Sequence, residues 1–554
     1  MLPRERILTI ARKEKWGNQQ EFLLSSISLV LSYGNIWRFP YLCYKNGGGN
    51  FLIPYLICLM IVGLPMFLLE IAMGQYSCEG GITVWHVFAP RFKGVGISSA
   101  ISCFLLNIYH VMILAWGFHY LIASFTYELP WSSCGNSWNT PNCDNNAEDY
   151  LESGNVTTNS NSLSTASEYW EHRVLGLDPN KDVEHLGTVR WELALTLLLS
   201  WIIVCACLWK GIRSLGKVSY LTATVPYLLL VFLLILGFTL EGAADGIRYY
   251  LTPDVTAIIR PQVWLDAATQ VMLSQAVGLG CLTALGSYNR SNRDFVKDVK
   301  WIALVNGVTS FVAGLAMFSL LGFLAHTEGV SMSEVVRSGV GLVFTVFPKA
   351  LSLLQWAPFW SIIFFSMLVL VVLGTHLVIF EGLITAVVDS FPQFFYVGYR
   401  RQALLIGIAT FSYFVGLFMV TNGGLYVYEL FEHYCFNGII LFWISFFQIA
   451  AIAGFYGESS IDTLLGCSPN CPRTWLRFCW KYLTPIFLGF MLLLSVWFYE
   501  PLTDYYGRPY PMWAHVIGWN LALPAFLSII FYYVCYESSR PVKIESEKMK
   551  PLFP

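Results

Sequence analysis

Two segments of the chain place polar and helix-breaking residues where an apolar stretch would otherwise run unbroken. One reads SSISLVLSYGNIWRFPYLCYKNGGGNF and sets Gly34-Asn35, Arg38 and Pro40 inside the stretch. The other reads AATQVMLSQAVGLGCLTALGSYNR and sets Gln270 and Ser274 ahead of Gly278 and Gly280. At membrane depth such residues are costly unless the freed backbone lines a cavity, so they point to ligand binding at two breaks. Glycine packing between helices accounts for a GxG alone; it does not account for Asn35 and Arg38 in the same span. No catalytic-triad spacing, zinc-ribbon spacing or Walker sequence is visible. The chemistry on offer is binding, not bond-breaking.

The surrounding elements follow from composition. Of 554 residues, 56% are hydrophobic, and 33 Lys+Arg stand against 35 Asp+Glu for a net charge of -2. Charged residues make up 12%, about half the usual share of a soluble domain. A soluble protein cannot hide so much apolar surface, and a near-neutral chain lacks the basic stripe that nucleic acid requires. Apolar runs fall near 22–45, 50–76, 97–126, 191–209, 218–240, 263–288, 298–325, 356–390, 403–421, 425–455, 482–500 and 513–536. Each is long enough to cross a bilayer as a helix. The expectation is an all-α membrane protein of twelve spans with both termini on one side. Broken helices five spans apart predict two inverted five-helix repeats with the site at their breaks. The divisions are a segment 1–21, a first repeat 22–240 containing the loop 127–190, a second repeat 241–455, two extra helices in 456–536, and a tail 537–554.

Charge sets the orientation. The first 21 residues carry Arg4, Arg6, Arg12, Lys13 and Lys15 and no apolar core, unlike a cleavable signal. Lys210, Arg213 and Lys217, then Arg290, Arg293, Lys297 and Lys300, then Arg400 and Arg401 fall on the same side. The loop 127–190 holds ten acidic residues and only Arg173 and Lys181 before Arg190. Both ends are therefore expected in the cytoplasm. Cys134 and Cys143 flank a short polar turn in that loop, close enough to pair in an oxidising compartment. Asn155-Val-Thr157 is a glycosylation sequon outside the cytosol, whereas Asn289-Arg-Ser291 in a basic loop is expected unused. Cys467, Cys471 and Cys479 cluster in one loop but lack a fourth ligand and a finger spacing, so zinc is not expected.

GNIWRFPYLCYKNGGGNFLIPY resembles the first-helix signature of the sodium- and chloride-dependent neurotransmitter transporters, the neurotransmitter:sodium symporters of solute carrier family 6. The likeness runs through nearly the whole chain. WELALTLLLSWIIVCACLWKGIRSLGKVSYLTATVPYLLL, VGLGCLTALGSYNR and YEPLTDYYGRPYPMWAHVIGWNLAL look like the branch carrying GABA, taurine, betaine and creatine. The resemblance implies a LeuT-like fold with helices 1 and 6 unwound. It also implies Na+ and Cl- as co-transported ions, with no organic cofactor.

Residue by residue, the first sodium site maps to the Val30 carbonyl, Asn35, Ser274 and Asn306. The chloride site maps to Tyr55, Gln270, Ser274 and Ser310, with Asn306 adjacent. The second sodium site maps to Ser28, Leu31, Val371, Gly374 and Thr375, and Gly374 offers no side-chain oxygen where relatives have an acid or hydroxyl. In the substrate pocket Ser32 stands where monoamine carriers have Asp, which argues against dopamine, serotonin and noradrenaline. His110 takes the place of a tyrosine that holds the substrate carboxylate, and Leu273 that of a lid phenylalanine. Tyr33, Gly34, Leu106, Ala276, Leu279, Thr375 and His376 complete a small pocket. The outer gate maps to Arg38 with Glu432, and the inner gate to Asp389 with Lys13 near Trp16.

The resulting expectation is a plasma-membrane secondary transporter, not an enzyme, driving uptake of a small zwitterionic amino acid or osmolyte. Its partners are a small-molecule substrate and membrane lipid, with a homo-oligomer open and no nucleic acid. The alternative is a non-transporting or proton-modulated relative acting as sensor, channel or partner protein, motivated by His110 and the altered second cation site.

Overall fold

In hydrocarbon no backbone group can be left without a partner, so apolar runs of this length close as helices. The computed structural model describes residues 13–32, 34–141, 143–144, 163–178, 183–252, 258–290, 293–332, 342–455, 457–466 and 471–538. Tyr33, Asn155, Cys467 and the basic residues Arg4, Arg6 and Arg12 lie outside the described residues.

The first apolar run forms two pieces, α1 (Gln19–Val30) and α2 (Phe39–Lys45), and the second ends in α3 (Leu64–Ser77). Then come α4 (Lys93–Ala123), α5 (Trp191–Leu208), α6 (Ile212–Phe238) and the two pieces of the sixth run, α7 (Pro261–Ser274) and α8 (Cys281–Ser287). The remainder are α9 (Phe295–Glu328), α10 (Ala357–Ser390), α11 (Arg400–Gly416), α12 (Gly424–Cys435), α13 (Gly438–Ala450), α14 (Thr484–Trp497) and α15 (Met512–Ser538). Strand structure among the described residues is a two-residue parallel pairing, Cys143–Asp144 with Leu163–Ser164.

Ten helical stretches among the described residues are long and apolar enough to cross a membrane. The first and sixth runs are not in that set, because each is cut into two short pieces. Several helices overrun the apolar run that predicts them. α6 begins at Ile212 rather than 218 and takes in Arg213 and Lys217, while α4 begins at Lys93. Backbone pairing continues into the headgroup zone, where long basic side chains reach water.

Burial separates scaffold from periphery. Within their most apolar windows α10 is 78% buried, against 28% for the stretches ending in α14 and in α15. On α14 the exposed residues Ile486, Phe490, Leu493 and Trp497 recur every three to four positions, a stripe facing outward. Such a stripe suits lipid and not water. In the interior, α3 and α8 approach so closely that a Cβ on Gly74 would strike the Thr283 carbonyl, and one on Gly286 the Ile71 carbonyl. Small residues at crossings are how helices pack in a bilayer, where no hydrophobic force draws them together.

One end of the bundle is capped. Cys134 and Cys143 are joined by a disulfide with 5.9 Å between their Cα atoms, as the spacing predicts. The segment Tyr169–Leu175 lies over Leu342–Val346, and the Trp170 ring stacks on Phe344 with centroids 4.7 Å apart. Trp116 of α4 meets Trp170 edge-on at 5.3 Å. Glu171 is buried beneath this cap, where burial pushes its carboxyl above the usual range although the Tyr505 and Tyr506 hydroxyls donate to it.

Trp170 has no solvent exposure, so Trp170→Ala leaves a large void between the cap and α4. The expected cost is about 3–5 kcal/mol, read as a lower melting temperature of the detergent-solubilised protein. An unchanged melt would mean that the cap is not part of the cooperative fold.

Candidate functional site

α1 closes its last turn with the Leu31 N–H donating to the Ile27 carbonyl at 2.7 Å, then uncoils. The chain re-coils as one wide turn, Gly34–Arg38, before α2 starts with a proline in its first turn. A proline fits there because its missing N–H is not needed. The fully buried Asn35 sits at this break, its amide donating to the Val30 carbonyl at 2.7 Å and to the Asn306 amide oxygen of α9. Asn306 in turn donates to the Ser274 hydroxyl at the end of α7, at 3.4 Å. Val30, Asn35, Ser274 and Asn306 are thus brought together, as the sequence predicts. Rotating the Asn35 amide exchanges its nitrogen and oxygen, which turns the cluster into a group of converging oxygens suited to a hard cation.

The second cluster lies beside the first. Tyr55, 2% exposed, holds its hydroxyl alongside those of Ser274 and Ser310, with no hydrogen bond closed to either among the described residues. Gln270 donates to the Gly34 carbonyl at 2.9 Å, tying α7 to the first break. Ser310 donates to the Asn306 carbonyl at 3.1 Å. Hydroxyl donors grouped in a dry place, with no acid among them, suit a small anion.

The sixth run breaks over residues 275–280. Gly278 and Gly280 take φ of 84° and 72°, and Ala276 takes φ of 52° between them and α7. For alanine that left-handed geometry costs about 1–2 kcal/mol, a strain of the kind that persists at functional sites. The freed Gly278 N–H donates at 2.8 Å to Glu70 of α3, which Gln448 of α13 also faces. The sequence reading passed over Glu70, although a lone acid inside an apolar run was the available signal. It also passed over Gln275, which lines a small cavity with Val30, Leu64, Phe67, Ile302, Ala303 and Asn306.

A third cluster joins α1 to α10. The Thr375 hydroxyl lies 3.3 Å from the Ser28 and Leu31 carbonyls and 3.2 Å from that of Val371. Two hydroxyl pairs run beside it between α1 and α6, Ser28 with Thr222 at 2.8 Å and Ser25 with Ser219 at 2.9 Å. Gly374 packs against Ser28 and Thr222 and offers no oxygen of its own.

His110 and His376 meet Nδ1 to Nδ1 at 3.3 Å with their rings nearly parallel. When both rings are neutral, one Nδ1 must donate and the other accept. The donating ring then presents a bare Nε2, and the accepting ring carries its proton there. Trp201 of α5 lies edge-on to His376, and Phe380 stacks on it. Ser32 is buried with its hydroxyl unpartnered among the described residues. Leu106, Ala276 and Leu279 are buried and Leu273 half-buried, as apolar walls.

The residues expected at the inner gate meet. Lys13 and Asp389 form a buried ion pair, and Asp389 also accepts from the Gly80 N–H at 2.8 Å and the Tyr396 hydroxyl at 3.0 Å. Trp16, 5% exposed, donates from its ring to the Leu285 carbonyl at 3.2 Å. The expected outer pair differs. Arg38 is the charge that acts on Glu432, yet no ion pair within 4.0 Å joins them among the described residues.

Next to Trp16 in the chain, Lys15 reaches to 3.4 Å from the buried thiol of Cys78. Trp16→Ala is expected to raise labelling of Cys78 by a small polar thiol reagent several-fold, measured site by site by mass spectrometry. An unchanged rate would remove Trp16 from the seal.

The sequence profile of the Sodium:neurotransmitter symporter family matches residues 13–539. The chain is 45% identical to the sodium- and chloride-dependent GABA transporter 2 of Bos taurus over 535 residues, covering 95% of this chain and 87% of that one. Its identity to the mouse protein of the same name is 46% over 523 residues, covering 93% and 85%. To the sodium- and chloride-dependent taurine transporter of Homo sapiens it is 45% over 523 residues, covering 94% and 84%.

Proposed function

The chain belongs to the Sodium:neurotransmitter symporter family and is a membrane transporter, not an enzyme; from that premise we propose that it couples sodium and chloride gradients to uptake of a small zwitterionic amino acid or osmolyte across the plasma membrane. The GABA and taurine carriers among its relatives, both sodium- and chloride-dependent by name, support that substrate class. Ser32 in place of an acid leaves a substrate amine without a fixed counter-charge, which disfavours monoamines. In this reading the ten long helices and two broken ones make twelve spans in two inverted repeats, with both termini cytoplasmic.

The observation that carries the proposal is the meeting of Val30, Asn35, Ser274 and Asn306 across both helix breaks. A sodium ion held there ties α1 and α7 to α9, so ion binding and the shape of the breaks become one equilibrium. Chloride sits among Tyr55, Gln270, Ser274 and Ser310, where its charge offsets that of the ion beside it. The substrate lies in the pocket of Ser32, Tyr33, Gly34, Leu106, His110, Leu273, Ala276, Leu279, Thr375 and His376. Alternating access exchanges the two gates. The Lys13–Asp389 pair closes the cytoplasmic side while Arg38 and Glu432 stand apart, which describes a carrier open or opening outward. Lysine at the inner gate keeps the charge and gives up the bidentate fork of arginine, so the pair parts more readily.

Uptake by cells expressing the protein, tested with GABA, taurine, betaine, creatine, glycine and proline, is expected to accumulate at least one solute. Replacing external sodium by choline should abolish that uptake, and replacing chloride by gluconate should reduce it strongly. Accumulation unchanged in choline would overturn the symport reading. In the same cells Ser310→Glu supplies a fixed negative charge beside the sodium and should lower the chloride dependence while sparing some sodium-driven uptake. An unaltered chloride requirement in a well-expressed variant would count against the anion assignment.

A further inference from the structure

We infer that this carrier moves its substrate with one sodium ion and not two, because the Ser28–Thr222 hydroxyl pair fills the space from which a side chain at position 374 would reach a second cation between α1 and α10. The inference rests on the symport reading above and deepens it, by fixing how many ions the gradient supplies per turnover.

The candidate second set is Ser28, Leu31, Val371, Gly374 and Thr375. A bare cation in a dry interior needs several hard oxygens pointing at one spot, with negative charge or strong dipoles among them. Like the first set, this one contains no carboxylate. α10 adds one hydroxyl, Thr375, which lies 3.2–3.3 Å from the carbonyls of Ser28, Leu31 and Val371 and has a single proton to give to one of them. The first set supplies side-chain oxygens from Asn35, Ser274 and Asn306, whereas the Ser28 hydroxyl here is turned to Thr222. The neighbouring His376 adds no oxygen and is directed at His110.

Space gives the same answer independently. A Cβ built on Gly374 would collide with the Ser28 hydroxyl and lie 2.9 Å from the Thr222 Cβ and 3.1 Å from its hydroxyl. A real Cβ essentially never comes closer than about 3 Å to backbone or rigid side-chain atoms. Ser28 and Thr222 are both 1% exposed and bonded to each other at 2.8 Å. The corner of the site from which an acid could reach an ion is thus occupied by a closed hydroxyl pair, and no side chain can be added there without displacing it. The first cluster differs in its side-chain oxygens. Asn35 has an amide oxygen without a partner among the described residues, and Val30, Ser274 and Asn306 converge beside it.

The test is equilibrium binding of radioactive sodium to the purified full-length protein, together with the sodium-to-substrate flux ratio in proteoliposomes. Binding is expected to saturate at one ion per chain, with one sodium entering per substrate and a sodium dependence of Hill coefficient about 1. Two ions per chain, or two per substrate, would overturn the inference and leave the symport reading intact. No bound sodium and no sodium-driven uptake would overturn both. The double variant Ser28→Gly, Gly374→Asp removes the blocking hydroxyl and supplies an acid. It is expected to bind a second ion, whereas Gly374→Asp alone is not. A second ion bound by Gly374→Asp alone would show that the hydroxyl pair does not block the site. Should the double variant fail to fold, the wild-type count still decides.

Discussion

Everything in this protein answers to the cost of interrupting a helix in hydrocarbon. Each freed backbone group must find a partner, and most of those found here belong to a different helix. The Gly34 carbonyl takes Gln270 of α7, the Gly278 N–H gives to Glu70 of α3, and the Thr375 hydroxyl of α10 lies within 3.3 Å of both the Ser28 and the Leu31 carbonyl. The Val30 carbonyl takes Asn35 from the next turn of its own broken span. The breaks are therefore stitched to the scaffold and to one another. A ligand that substitutes for any stitch changes the position of the half-helices, and that is the physical basis for coupling an ion to a conformational change.

The sequence showed where the breaks lie and which residues meet there, because polar atoms inside apolar runs are conspicuous. Asn35, Gln270 and Ser274 are visible in this way, Asn306 enters only through the family resemblance, and the disulfide is visible from two cysteines nine residues apart. Boundaries were less legible. Apolar length ends where lysines begin, but α6 and α9 continue through Arg213, Lys217, Lys297 and Lys300, since those side chains reach the headgroups while the backbone stays helical. The two broken runs were counted from their hydropathy, which does not register that each is two helices in length and geometry.

Other features lay beyond any linear reading. Glu70 carried a signal, yet its role depends on α3 lying against the turn at Gly278, a relation between residues 208 positions apart. The facing of His110 and His376 similarly requires α4 and α10 to pack in one register. Nor does a sequence state a conformation. The resemblance matches Arg38 with Glu432 as a pair, and no ion pair within 4.0 Å joins them among the described residues. Lys13 and Asp389 do form an ion pair.

The seam between α1 and α6 carries two buried hydroxyl pairs, Ser25 with Ser219 and Ser28 with Thr222. A formal charge carried through the full field exchanges about 2.3 kcal/mol per 100 mV with it. Parting these two pairs displaces no formal charge, so the membrane voltage has no direct grip on them. Their hydrogen bonds cost the same to break in a polarised cell as in a depolarised one.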